Sequence, residues 1–133
     1  MESLLPLLLL ISLTSVIGLL LRAKKGVIKK GTRVKIPEGE FGGKYGSRLT
    51  ILQFSTTFCS ECRTAKAIVK DVVKDFKEIA YVEVDAESNL ELVRRVDIRS
   101  TPTTIFLDSK GFEIARAKGA PKRDQLIKAI KSI

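Results

Sequence analysis

The chain has 133 residues, 44% hydrophobic and 29% charged, with a net charge of +9; this is the size of one folded domain and too apolar for wholesale disorder. It contains no His, which removes Ser-His-Asp and Cys-His nucleophiles, His-ligated metals and the usual neutral-pH proton shuttle. Two Cys are too few for a disulfide-built scaffold or a four-Cys zinc site, so the chemistry left is that of a thiol pair or of carboxylates.

Leu4 to Leu21 is an eighteen-residue run without a charge, and ten of its residues are Leu. As a helix it measures about 27 Å at roughly 1.5 Å per residue, close to a bilayer core of about 30 Å. Pro6 falls in the first turn, where its missing N–H costs little, and Ser3 and Arg22 stand at the polar ends. A cleaved signal peptide wants a basic start and a small-residue cleavage site. Here the start is Met1-Glu2-Ser3 and the run closes in Leu19-Leu20-Leu21-Arg22. A buried core helix fits poorly because no face is polar. Residues 1–22 are therefore expected to form a transmembrane anchor.

Residues 22–48 carry nine Lys/Arg against two acids, whereas residues 49–133 carry fifteen against twelve. The basicity thus sits directly behind the apolar run. Basic flanks stay on the cytoplasmic side, so a single-pass topology with residues 22–133 in the cytoplasm is expected. The same stretch would face anionic head groups. A nucleic-acid face would instead spread over the folded part and interleave aromatics, so no nucleic-acid partner is expected. Residues 23–47 read as a basic juxtamembrane linker with some extended structure. Within it, residues 26–36 suit a short hairpin turning near Lys29-Lys30-Gly31.

From Leu49 the pattern sharpens. Residues 49–54 form an apolar run suited to a buried strand. Ile68, Val69, Val72, Val73 and Phe76 mark one face of a helix over about 59–78. Residues 81–85 are the next strand, and Ser88 with Glu91 forms a capping box for a helix through Val96. Residues 103–107 and 112–117 are strands joined at Asp108-Ser109-Lys110-Gly111, and residues 124–133 are a last amphipathic helix. The fold class is α/β. The first two strands, joined by a helix, are expected to be parallel, and the last two an antiparallel hairpin. That makes a four-stranded mixed sheet flanked by helices over 48–133.

Cys59-Ser60-Glu61-Cys62 follows a strand and opens a helix. There the first sulfur lies beside unpaired backbone N–H groups and the positive end of the helix dipole, which favour the thiolate. The second Cys, three residues on, reaches the same side of the first turn. The pair can close and reopen a disulfide, with Cys59 attacking and Cys62 resolving. The plain alternative is two small side chains packed at a helix start. A metal pair lacks third and fourth ligands.

The run Phe58-Cys59-Ser60-Glu61-Cys62-Arg63, then Val82-Glu83-Val84-Asp85, then Ser100-Thr101-Pro102-Thr103-Thr104, then Gly119-Ala120 resembles the thioredoxin family over about residues 48–133. The anchored arrangement resembles small actinobacterial thioredoxin-domain proteins. The resemblance implies a thiol–disulfide oxidoreductase acting on protein disulfides or thiols. It implies that Pro102 is cis and packs opposite Cys59, and that Thr101 offers backbone pairing to an extended substrate. Three positions depart from the family. Phe58 stands for the usual Trp and keeps an apolar lip. Ser60-Glu61 stands for Gly-Pro, and the Glu61 carboxylate opposes a thiolate unless Arg63 offsets it. Gln53 falls where the family has a buried Asp and cannot take a proton from Cys62, so a water or Glu61 assists, or resolution slows. No GxGxxG is present, so no cofactor is expected and reducing equivalents come from a protein electron donor. The alternatives are the same enzyme facing outward and a non-catalytic binding module on the same fold.

Overall fold

In a computed structural model that describes residues 4–133, the chain forms α1 (Leu4–Ala23), β1 (Ile28–Lys30), α2 (Glu38–Phe41), β2 (Leu49–Ser55), α3 (Ser60–Val73), β3 (Ile79–Asp85), α4 (Leu90–Arg95), β4 (Thr103–Asp108), β5 (Glu113–Lys118) and α5 (Arg123–Ser132). Met1, Glu2 and Ser3, on which the reading of the N-terminal flank rested, lie outside the described residues.

The five strands form one sheet in the order β1-β5-β4-β2-β3. β2 and β3 are parallel, joined through α3, and β4–β5 is the expected antiparallel hairpin. β2 is buried along its whole length because it lies between β3 and β4 with helices on both faces. Its side chains alternate with period two. Leu52 and Phe54 join Val84, Leu92, Val96, Ile105 and Leu107 on the α4 side. Leu49 and Ile51 join Val69, Val72, Phe106, Leu126 and Ile130 on the α3 and α5 side. Gln53, in step with Leu49 and Ile51, is thereby aimed at α3.

The sheet has five strands rather than four. The hairpin expected over 26–36 does not form. That segment instead runs antiparallel along β5, with Ile28 opposite Ala117 and Lys30 opposite Ala115. Hydrogen bonds from Gly31 to Ile114 (3.0 Å), Arg33 to Glu113 (3.1 Å) and Glu113 to Val34 (2.9 Å) continue the pairing. The physical cause is the open edge of β5, whose backbone donors and acceptors need partners. Ile36 and Phe41, from the stretch expected as a linker, are buried in the α4-side core.

Two helix ends also differ from expectation. α3 stops at Val73, and Phe76 N–H donates to the Val73 carbonyl at 2.9 Å as the chain turns into β3. The capping box at Ser88 and Glu91 does not form. Asn89 is the N-cap of α4, and the Ser88 hydroxyl donates to the Asp85 carboxylate at 2.6 Å. That bond comes first among the causes that hold Asp85 below the usual carboxylate range.

α1 is the one helix among the described residues that is long and apolar enough to cross a membrane. It has twenty residues, mean hydropathy 2.6 over its best window, and no buried side chain.

Candidate functional site

The site is built where β2 gives way to α3. Cys59 is the N-cap of α3, with extended backbone, and its Sγ accepts the Cys62 backbone N–H at 3.1 Å. Cysteine sulfur thus takes the place a serine or aspartate oxygen usually fills at a helix start. Cys59 and Cys62 are joined as a disulfide with Cα atoms 5.2 Å apart. Cys62 is 4% exposed, whereas Cys59 is partly open to solvent. One sulfur is reachable and the other is shielded.

The Thr101–Pro102 peptide is cis. Thr101 sits beside the disulfide, its hydroxyl 4.0 Å from Cys59 Sγ and 3.4 Å from the Thr56 hydroxyl. Pro102 is buried, and its carbonyl accepts the Gly119 N–H at 2.8 Å. The start of α3, the Pro102 loop and the Gly119 turn therefore meet at one end of the sheet. Phe58 projects almost wholly into solvent, at 98% exposure.

Gln53 lies beneath this end and is fully buried. Its amide nitrogen donates to the Cys62 carbonyl and to Ser55 Oγ, both at 3.0 Å. Its amide oxygen accepts the Tyr81 hydroxyl at 2.8 Å. Every hydrogen of this amide is committed, which is what a buried primary amide requires. Burial, with the nearby Glu83 carboxylate adding to it, raises the Tyr81 phenol well above its ordinary value. Sequence reasoning missed Tyr81. The available signal was a buried amide with an acceptor to satisfy and a tyrosine on the neighbouring strand, two residues short of Gln53's partner Glu83.

Glu61 and Arg63 follow different directions. Arg63 is exposed, and no ion pair joins it to Glu61 among the described residues. Glu61 instead lines a cleft with Thr101, Gly119 and the lysines that follow α1. Among the described residues no three of His, Cys, Asp and Glu gather closely enough to hold a metal ion. A solvent-reachable sulfur at a helix N-terminus, bonded to a shielded sulfur one turn on, is suited to thiol–disulfide exchange.

The thioredoxin family model matches residues 40–132. Thioredoxin H5 of Oryza sativa subsp. japonica is 32% identical over 77 residues, which is 58% of this chain and 56% of that protein. Thioredoxin of Ophiophagus hannah is 26% identical over 86 residues, covering 65% of this chain and 80% of that protein. The solved structure of Fasciola hepatica thioredoxin aligns with a TM-score of 0.58 at 26% identity, covering 65% of this chain and 82% of that one. The alignments to the three rice relatives span 56% to 64% of those proteins' lengths.

Proposed function

This chain belongs to the thioredoxin family, and on that premise we propose that it is a membrane-tethered thiol–disulfide oxidoreductase that reduces protein disulfides on the cytoplasmic side. The observation that carries the reading is the reachable Cys59 sulfur at the start of α3, bonded to the shielded Cys62 and flanked by Thr101.

In the reduced protein the Cys59 thiolate attacks one sulfur of a substrate cystine. A Cys59–substrate bond forms, the substrate S–S bond breaks, and one substrate thiolate leaves and takes a proton from water. Cys62, deprotonated, then attacks Cys59 Sγ. The Cys59–Cys62 disulfide forms and the second substrate thiol is released, so two electrons have passed to the substrate. A dithiol electron-donor protein restores the starting state. The Cys62 N–H, already directed at Cys59 Sγ at 3.1 Å, stabilises the attacking thiolate. The Gln53 amide is not a base and its hydrogen bonds are committed, so it cannot take the Cys62 proton, which passes to water or to Glu61. The role of Gln53 is to position the first turn of α3 through the Cys62 carbonyl. Phe58 forms an apolar lip for the substrate, and Thr101 with Pro102 frames the incoming strand.

Tethering is supported by the length, hydropathy and unburied surface of α1. The cytoplasmic side is supported by the Lys and Arg residues that follow it.

The test is trapping with Cys62→Ser in the full chain. A mixed disulfide through Cys59 that dithiothreitol releases supports the activity. The absence of any adduct, together with no turnover of insulin disulfides by the unmodified protein, overturns it in favour of a binding module. Membrane-impermeant maleimide on intact cells reads the side. Cys59 protected until lysis supports the cytoplasmic placement, and labelling of intact cells overturns it.

A further inference from the structure

The end of α1 returns to the reacting pair. After Ala23 the chain bends, and Gly26 N–H donates to the Lys118 carbonyl at 2.6 Å. Gly26 has φ +74°, and a Cβ there would collide with the Ala120 carbonyl oxygen. Both features press the residues after the helix against the Gly119 turn. That turn is itself bonded to Pro102. The result is a cleft of about 350 Å³ whose walls include Lys24, Lys25, Lys29, Lys118, Glu61 and Thr101. Thr101 reaches the cleft on one side and stands 4.0 Å from Cys59 Sγ on the other. Four lysines and one glutamate thus border a hollow that adjoins the redox pair.

We infer that this basic cleft is a substrate subsite, and that the chain prefers protein disulfides whose flanking extended segment is acidic. The inference rests on the proposed oxidoreductase reading and names its substrate class. The lysines come from three separate stretches, the turn after α1, β1 and the end of β5, and converge on a hollow rather than lying on one broad face. Leu21, near the end of α1, also borders the hollow, so head groups of the bilayer would lie close to it. An extended peptide fits a hollow of that size, and Thr101 is where such a peptide would pass on its way to Cys59. Glu61, the carboxylate nearest the pair, disfavours a segment of like charge only at its own corner of the cleft. Clustered cations beside a reactive group attract an oppositely charged partner and speed encounter more than they tighten binding.

The test uses the full chain in discs of neutral phosphatidylcholine, reduced with dithiothreitol and desalted. Two cystine peptides are compared, identical except that one carries Asp and Glu beside its cystine and the other Asn and Gln. The readout is the ratio of their reduction rates within each protein, so a general loss of activity cancels. The expected ratio is about tenfold at low ionic strength. It approaches one in 1 M salt, where the screening length falls to about 3 Å, and in the Lys25→Glu/Lys118→Glu double variant. Equal rates for the two peptides overturn the inference while leaving the oxidoreductase reading intact. A ratio that the double variant leaves unchanged also overturns it. Equal rates together with lysines shielded from amine acylation only in anionic discs assign the cluster to lipid head groups. Reduction of neither peptide overturns both readings.

Discussion

The Gln53 side chain donates to the Cys62 carbonyl at 3.0 Å, so the central strand of the sheet grips the first turn of the helix that carries both sulfurs. The bond replaces nothing in the helix ladder, because Cys62 lies in the first turn and Gln53 adds a second partner to its carbonyl. Tyr81 completes the chain of contacts from β3 to Gln53 to α3. A rigid sheet thereby sets where the reactive turn sits.

Gln53→Ala strips a partner from the half-buried Tyr81 hydroxyl and the second partner from the Cys62 carbonyl. We expect a loss of about 2 kcal/mol, in line with roughly 1–3 kcal/mol for a polar group left unpaired, since the Cys62 carbonyl keeps its partner in the helix. Urea unfolding of the oxidised protein measures it. A loss below about 0.5 kcal/mol removes the positioning role argued for this residue.

Both tyrosines of the chain hold their protons more tightly when folded. For Tyr81 the cause is burial and then Glu83, and for Tyr45 burial, then Glu38 and Asp108. The unfolded phenol titrates at the ordinary value of 10.0. Below that pH both states are protonated and the contribution to stability is present in full. Above it the unfolded chain loses protons that the folded chain keeps, so stability falls as pH rises. Tyr81→Phe should flatten this alkaline decline, although it leaves the Gln53 amide oxygen unpaired and lowers stability at neutral pH. Thermal melts from pH 8 to 11 on both proteins test the sign; a decline of equal slope in the variant contradicts it.

Phe58 separates folding from docking. At 98% exposure it supports no core, so Phe58→Ser should change stability by less than about 0.5 kcal/mol. The KM for a protein disulfide should rise severalfold, with little change in iodoacetamide reactivity of Cys59. An unaltered KM removes the apolar lip from the proposed site.

Glu113 is fully buried at the start of β5, held by Arg116 Nε at 2.6 Å and Nη2 at 3.0 Å, and by the Thr32 hydroxyl at 2.6 Å. Arg116→Ala leaves that carboxylate without its cation. Such a loss costs about 3–5 kcal/mol in a buried pair. Arg116→Ala/Glu113→Gln should recover part of it, because the buried charge goes as well. A calorimetric comparison of the single and double variants decides, and equal losses rule out a buried-charge penalty.

Local pattern made several elements legible. The apolar run at 49–54, the period of Val69 and Val72, and the Asp108–Gly111 turn each lie within a few residues, and the observed β2, α3 and β4–β5 hairpin follow them. Residues 28–36 show extended character and a turn signal at Lys29-Lys30-Gly31, but nothing local that names the partner strand. Their Lys-rich sequence says nothing of β5, more than eighty residues away, and the pairing forms because β5 offers a free edge. The end of α3 was hidden for a similar reason. Phe76 continues the apolar period of the helix but packs from the turn that leads into β3.

Legible along the chain are two sulfurs three residues apart between a strand and a helix, and an uncharged leucine-rich run followed by lysines. Both are short-range facts, set by neighbours along the chain. Which sulfur is shielded, what Gln53 holds, and the meeting of the lysines behind α1 with Thr101 at one cleft arise only in the folded molecule. Those depend on pairings between segments far apart in the chain, where the partner is chosen by open strand edges and unfilled apolar faces rather than by local periodicity.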